Sequence, residues 1–349
     1  NDTGNWAGAS IVYGVAVSIK DNLVYTGIDS GKFGVYRVDT FTGGGAGTKL
    51  NPYEIEDCIQ LQNISLALSV NYKLINNIDC SDTINWNGGA GFKPIGENKG
   101  SINFFSGSLQ GQDYNITDLF INVSGASTSG DCTGISGNCT GMFAHTINAT
   151  INKVHLKNVF VQSDAFVIGG LVGAFDDNGT IANSSVQGNV TSKGATNQYV
   201  GGLTGWVWAD KHVPTVYNSS FTGNISARAS VGLGGLTGWS DGIINYSFAN
   251  VKLNSTNNND VGGLVGNNAV DGNDKGVIDN SYSTGNVSVA GTVTPTRIGG
   301  LVGDNNGNIY RSYSTVNVSG YNNVGGLVGR GTRVGATTSF ILDSYSCGN

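Results

Sequence analysis

Charged side chains are scarce in this sequence: Asp, Glu, Lys and Arg make up 12% of its 349 residues, about half the ~25% of an ordinary soluble domain. The net charge is -6, and the Lys and Arg residues are scattered, which excludes nucleic acid and anionic membrane as partners. Long apolar runs are missing too. None approaches the ~18 residues of a membrane-crossing helix, so no membrane span is expected in this segment. Histidine is equally rare: His145, His155 and His212 are too few and too dispersed for a metal triad, and each is expected at the surface or in a turn. No G-x-S-x-G elbow, phosphate-binding Walker loop or dinucleotide-binding glycine fingerprint occurs. The sequence nominates no catalytic residue and no metal ligand, and the chain is expected not to be an enzyme.

Cysteine is sparse and odd in number, five in all, which suggests local staples rather than a disulfide framework. Neither a C-x-x-C pair nor a Cys/His zinc pattern is present. Cys58 and Cys80 bracket a helix-to-strand connection, and Cys132 and Cys139 flank a six-residue loop, so each pair is a candidate disulfide. Cys347 would pair beyond the last residue. An oxidising, extracellular setting fits this usage. The chain opens at Asn1 with neither Met nor a signal peptide. It closes on ILDSYSCGN from Ile341, a repeated string cut short, so a fragment of a longer protein is expected.

Glycine, by contrast, is abundant at 55 residues, about twice its usual ~7% share, and it is periodic. The pentapeptide GGLVG or GGLTG begins at Gly169, Gly201, Gly234, Gly262, Gly299 and Gly325, at intervals of 32, 33, 28, 37 and 26 residues. A second string keeps the same beat: IANSSVQGNV from Ile181, VYNSSFTGNI from Val216, IINYSFANV from Ile243, IDNSYSTGNV from Ile278 and IYRSYSTVNV from Ile309. A period of this length means a solenoid, in which no unit buries its apolar face alone and the copies must stack. The spacing predicts coils of about 30 residues, three strands and three turns each, about 4.8 Å apart. Leu171, Leu203, Leu236, Leu264, Leu301 and Leu327 hold one slot and are assigned to a buried ladder. Ile168, Val200, Leu233, Val261, Ile298 and Val324 lie three positions earlier, which a bend at the glycines would reconcile with an inward direction. Asn158, Asn189, Asn224, Asn250, Asn286 and Asn317 each precede Val or Ile and are expected to form an amide column.

The fold class is therefore all-β: a parallel β-helix of ~30-residue coils, with an N-terminal cap holding one short helix, preceded by a small antiparallel meander. Residues 1–46 carry the meander, whose strand edges could pair with a neighbouring domain or subunit, and they resemble a single β-propeller blade. Residues 47–125 carry the cap and early coils, with a helix placing Ile55, Ile59, Leu61 or Gln62 and Ile64 near one face. Residues 126–349 carry the regular repeats.

The GTKLNPYEI opening, the YKLINNIDCS strand, the KPIG and FSGSLQGQ turns and the six GGLVG-type motifs together resemble the GLUG-repeat proteins over residues 47–349. The resemblance implies a parallel β-solenoid in a large surface or secreted, adhesin-like protein. Some immunoglobulin-cleaving metalloproteases share these repeats, but their HExxH zinc signature is absent here.

Fifteen N-x-S/T sequons occur, about twice the chance number for this content of Asn, Ser and Thr. Those at slots that recur with the coil, Asn183, Asn218 and Asn245 among them, serve the stack. The rest leave Asn63, Asn115, Asn122, Asn138, Asn148, Asn178 and Asn254 as N-glycan candidates. Asp176, Asp177, Asp210, Asp241, Asp271, Asp274 and Asp304 follow GGLxG motifs and read as turn residues, with calcium the one conceivable cofactor. Trp206 and Trp239 follow GGLTG, while Tyr282, Tyr313 and Tyr345 recur at one slot. Such aromatics either bind sugars or another protein, or steady neighbouring coils by stacking. The expected function is attachment or assembly in a cell-surface structure, through self-association, other surface components or glycans. The alternatives are a filament or sheath subunit, or a β-helix that binds or cleaves polysaccharide.

Overall fold

A computed structural model describes residues 41–96, 103–123, 138–194, 198–228, 230–256, 259–271, 276–291, 296–331 and 339–348 with side chains, and 15–16, 23–28, 32–37 and 274–275 as backbone. The chain divides into two compact units, 1–42 and 43–349. In the first, Val15–Ala16, Leu23–Ile28 and Lys32–Arg37 pair antiparallel in chain order.

The second unit is a parallel β-solenoid built of four strand stacks, sheets A to D. One coil contributes Val167–Ile168 to A, Val172–Asp176 to B, Thr180–Ala182 to C and Ser185–Ser192 to D. Among the described residues A and B hold seven strands each, C ten and D eleven. The three strands per coil predicted from spacing are thus four. The glycine pair separates A from B, and a single left-handed residue, Asn183 at φ 50° in this coil, breaks C from D. One residue in that conformation leaves no composition signal long enough to read as a turn.

The GGLxG motif is the geometry of the A–B bend. A Cβ on the first glycine would lie 1.8 to 2.0 Å from the carbonyl oxygen three residues on in all six copies, as for Gly234 against Thr237. Close approach, not a left-handed φ, demands glycine there. The bend turns both flanking residues inward: Ile168, Val200, Leu233, Val261 and Ile298 are fully buried, and so are Leu171, Leu203, Leu236, Leu264 and Leu301, with Leu327 half-buried. The leucine amides also climb the stack, Leu203 donating to Leu236 at 2.9 Å and Leu236 to Leu264 at 2.8 Å. In sheet C a second apolar column runs Ile151, Ile181, Val216, Ile244, Ile278, Ile309. Each such side chain contributes about 1.5–3 kcal/mol through burial.

Polar ladders staple the C–D corner. Ser184, Ser219, Ser247, Ser281, Ser312 and Ser344 accept the backbone N–H of the preceding coil's equivalent residue at 3.1 to 3.2 Å, beginning with Val154 onto Ser184. Each hydroxyl donates to the carbonyl two residues back, as Ser219 does to Tyr217 at 2.8 Å. Buried donors and acceptors at this break are thereby satisfied across every rung.

The asparagine column is shorter than expected. Asn224 donates to Asn189 at 2.8 Å and Asn317 to Asn286 at 3.1 Å, but Lys252 stands between the two pairs. Asn250 pairs with Thr222, because Phe248–Thr256 lacks the glycine kink and alternates strictly, turning Ala249, Val251 and Leu253 inward. Asn158 leaves the column at a register shift and donates to Asp118 instead. Asn245 also misses its expected slot, since Tyr246 takes the left-handed position.

Near the start of the solenoid, helix α1 (Cys58–Gln62) is capped by the Asp57 carboxylate, which accepts from Gln60 N at 2.7 Å. It passes into a 3₁₀ turn at Asn63, so its buried side repeats every three residues, as Cys58, Leu61 and Ile64. Ile59, expected inside, is 61% exposed. A disulfide joins Cys58 to Cys80.

Candidate functional site

Because residues alternate across a strand, the bend that turns Ile168 and Leu171 inward turns their neighbours outward. In sheet A the outward column is Val167, Tyr199, Gly232, Asp260, Arg297. In sheet B it is Ala174, Trp206, Trp239, Asn267, Asp304, Arg330. Within each coil the two columns meet across the corner at a spacing of seven residues, forming a seam along the solenoid.

Toward the lower-numbered coils the seam is aromatic. Trp206 is buried; its ring lies 4.9 Å from Tyr199, 5.9 Å from Trp208 and 5.0 Å, edge-on, from Trp239. Phe166 packs edge-on against Tyr199 at 5.5 Å. Phe166, Tyr199, Trp208 and Trp239 remain half-exposed. Further along it is ionic. Asn267 donates to Asp260 at 3.0 Å; Arg297 lies 2.8 Å from both Asp260 and Asp304; and Arg330 engages Asp304 through Nε at 3.0 Å and Nη2 at 2.6 Å. Between these halves Gly232 leaves Trp239 with no side chain opposite it. The space is nonetheless filled: a Cβ on Gly232 would lie 2.5 Å from the Gly238 carbonyl oxygen and 3.0 Å from Tyr199 Cδ1, so the Tyr199 ring covers the glycine.

Burial pushes the Asp260 carboxyl up to about 7, against the pull of Arg297. Burial and the Asp260 charge also push the Tyr199 phenol up. A carboxyl raised above its unfolded value favours the fold when protonated, and that stability is lost as pH rises through the folded value. Asp176, also raised by burial, acts in the same direction. The solenoid is therefore expected to gain stability as pH falls from 8 to 5, by up to a few kcal/mol. Denaturant midpoints across that range check this, and Asp260→Asn should flatten most of the slope.

His145 is corrected from a surface residue to a buried one: it lies in sheet B, with Nε2 2.6 Å from Asp176 Oδ2. His155 is a half-buried strand residue, bonded to Ser185 at 2.9 Å, and His212 is exposed. The aspartates expected on turns divide similarly. Asp176 and Asp304 are buried strand residues, and Asp241 is buried while accepting from Ala209 N at 2.8 Å. Asp177 accepts from Lys211 N at 2.9 Å, Asp271 accepts from Trp208 Nε1 at 3.3 Å, and Asp210 is exposed. Among the described residues no three His, Cys, Asp or Glu side chains are grouped to hold a metal ion.

The aromatic residues nominated from sequence fall into two places. Trp206 and Trp239 belong to the seam. Tyr282, Tyr313 and Tyr345 lie on sheet D, continuing a stack from Phe248 with ring centroids 5.0, 5.0 and 5.3 Å apart and planes within 7° of parallel. Their faces cover one another, so this strip steadies coils and leaves no row of open faces for sugars. Tyr199, Asp260, Arg297 and Arg330 were not found from sequence. The spacing of seven across each GGLxG motif was the available signal, but no letter repeats there. Cys139 is also disulfide-bonded, and Cys132 lies outside the described residues. Asn148, Asn178 and Asn254 are exposed, whereas Asn63, Asn115, Asn122 and Asn138 are half-buried.

No protein-family profile matches the chain, so the GLUG resemblance stays at the level of its motifs. Similar sequences include halomucin of Haloquadratum walsbyi, 37% identical over 168 residues, covering 46% of this chain and 2% of that protein. Another is a protein of Evansella cellulosilytica provisionally named a Gly-rich membrane protein, 33% identical over 148 residues, covering 41% of this chain and 15% of that one. The chain thus spans a small part of the relatives it matches. Among solved structures, a protein of Bacteroides ovatus provisionally titled an immunoglobulin A1 protease matches with a TM-score of 0.61 and 20% identity over 86% of both chains. A structure titled IgA1 protease matches at 0.54 and 18% identity, over 91% of this chain and 24% of that one. At such identity the likeness carries the fold. The protease titles nevertheless overturn the expectation that this chain is not an enzyme, which rested on missing catalytic motifs. Where a solenoid matches 24% of a longer chain, chemistry carried elsewhere in that chain leaves no mark on the coils.

Proposed function

We propose that this chain is a ligand-binding stretch of a longer protein displayed outside the cell, attaching it to polysaccharide through the A–B seam. The observation that carries this reading is the half-exposed aromatic end of the seam, where Phe166, Tyr199, Trp208 and Trp239 pack around the buried Trp206. It sets the Trp239 indole, edge-on to Trp206, beside the half-buried Asn267 of the next coil. Sugar rings stack their C–H faces on an indole while amide groups take their hydroxyls. Relatives named halomucin and, provisionally, a Gly-rich membrane protein, and the Cys58–Cys80 disulfide, support a place outside the cell. No helix among the described residues is long and apolar enough to cross a membrane.

Tryptophan fluorescence titrated against a panel of soluble polysaccharides tests the reading. At least one is expected to bind saturably, and Trp239→Ala to weaken it at least about tenfold, or ~1.4 kcal/mol. A panel without any saturable response, or a Trp239→Ala protein that binds unchanged, contradicts it.

A further inference from the structure

Among the described residues the sequons fall into two physical classes, and the division assigns a modification; Asn1 lies outside the described residues. In one class the side-chain amide is bonded to a neighbouring side chain or is half-buried against the coils. Asn183 donates to Asn152 at 3.0 Å and accepts from Asn218 at 2.8 Å. Asn224 and Asn189 are joined at 2.8 Å, Asn317 and Asn286 at 3.1 Å, and Asn115 donates to Asn77 at 3.3 Å. Asn122 accepts from Lys193 at 3.1 Å, and Asn63, Asn138 and Asn245 are half-buried. A sugar on a ladder nitrogen would stand one rung, about 4.8 Å, from the next amide, less than the width of a pyranose ring with its substituents.

In the other class are Asn148, Asn178 and Asn254. All three are exposed, and their side-chain amides make no hydrogen bond to the described residues. Asn148 stands at φ 55° on the turn between sheets B and C, and Asn178 follows Asp177 at φ 56° on the same turn one coil on. Asn254 points outward from sheet D, in a strand whose alternate residues are buried. The hydroxyl each sequon needs two residues on belongs to Thr150 and Thr256, both exposed, and Thr180, half-exposed.

We infer that Asn148, Asn178 and Asn254 carry N-linked glycans and that the ladder sequons do not. In the reaction the Asn Nδ2 forms a bond to the anomeric carbon of a sugar donated from a lipid-linked pyrophosphate. The carbon–oxygen bond to phosphate breaks, and the amide proton leaves with the phosphate. The inference rests on the extracellular placement proposed above.

The test uses the full-length protein shaved by protease from its own intact cells, which settles its location independently. Its peptides are then treated with a glycan-releasing amidase in ¹⁸O-water, which converts each modified Asn to labelled Asp. Label at two or more of Asn148, Asn178 and Asn254, with less than about a tenth of that occupancy at Asn183, Asn218, Asn224 and Asn317, is the expected result. Surface-recovered protein with fewer than two of the three sites labelled, or with the ladder sites labelled comparably, overturns the inference while leaving the location standing. Failure to recover the protein by shaving removes its premise and overturns both.

Discussion

Gly234→Ala is expected to destabilise the solenoid by at least about 3 kcal/mol, the upper end of what a single added methyl does in a packed interior. The new Cβ would lie 2.0 Å from the Thr237 carbonyl oxygen, 2.7 Å from the Gly266 nitrogen and 2.8 Å from the Leu264 oxygen. All three are backbone atoms in ladders shared with neighbouring coils, so none can rotate aside as a side chain could. Relief would require opening the bend, which would lift Leu233 and Leu236 out of the core together. Gly331→Ala provides the control. A Cβ there meets nothing within 4 Å among the described residues, and its effect should stay within about 0.5 kcal/mol. Denaturant midpoints of the two variants measure the contrast, and equal midpoints would mean the bend is not built as described.

Leu236→Ala is expected to cost about 2–5 kcal/mol, as for other buried leucines whose cavity cannot collapse. Leu236 is 1% exposed and lies between Leu203 and Leu264, whose amide and carbonyl groups are hydrogen-bonded to its own. A collapsing cavity would have to shorten a spacing already fixed by backbone ladders in all four sheets. Because coils contact only their neighbours, the damage should remain local. Hydrogen exchange is expected to quicken around Leu203 to Leu264 in Leu236→Ala, while Ile309 and its sheet C neighbours stay protected.

The features legible in the sequence were those in which one letter fills one slot. The leucine column and glycine bend depend on a single side chain, or its absence, at every rung, so repetition exposes them. The serine ladder was equally repetitive, but Ser184, Ser219 and Ser247 lie inside sequons, which read as a modification signal before they read as a staple, while Ser281, Ser312 and Ser344 follow Asn280, Arg311 and Asp343 outside any sequon. The asparagine column misled for the opposite reason. Asn250 matches the motif, but Phe248–Thr256 has no glycine at the kink, and the inward demands of Val251 and Leu253 move Asn250 two positions from where the letters place it. The seam was illegible because its logic is pairwise. Tyr199 with Trp206, Asp260 with Asn267 and Arg297 with Asp304 share a geometry while no residue type recurs, and Gly232, which makes room for the Tyr199 ring, carries no letter that marks it as part of the seam. His145 misled because burial beside Asp176 depends on a partner 31 residues away.

The central claim is that coils lie one upon another in register, and the distance between spin labels on one outward column of sheet D tests it most directly. Asn189→Cys and Asn317→Cys occupy positions joined rung by rung through Asn224, Lys252 and Asn286. Four steps of about 4.8 Å place their backbones roughly 19 Å apart. A single narrow distance distribution near that value, shortening by about one rung when the first label moves to Asn224→Cys, is the predicted result. A broad distribution, or a separation that does not shorten by a rung on that move, would contradict the stack.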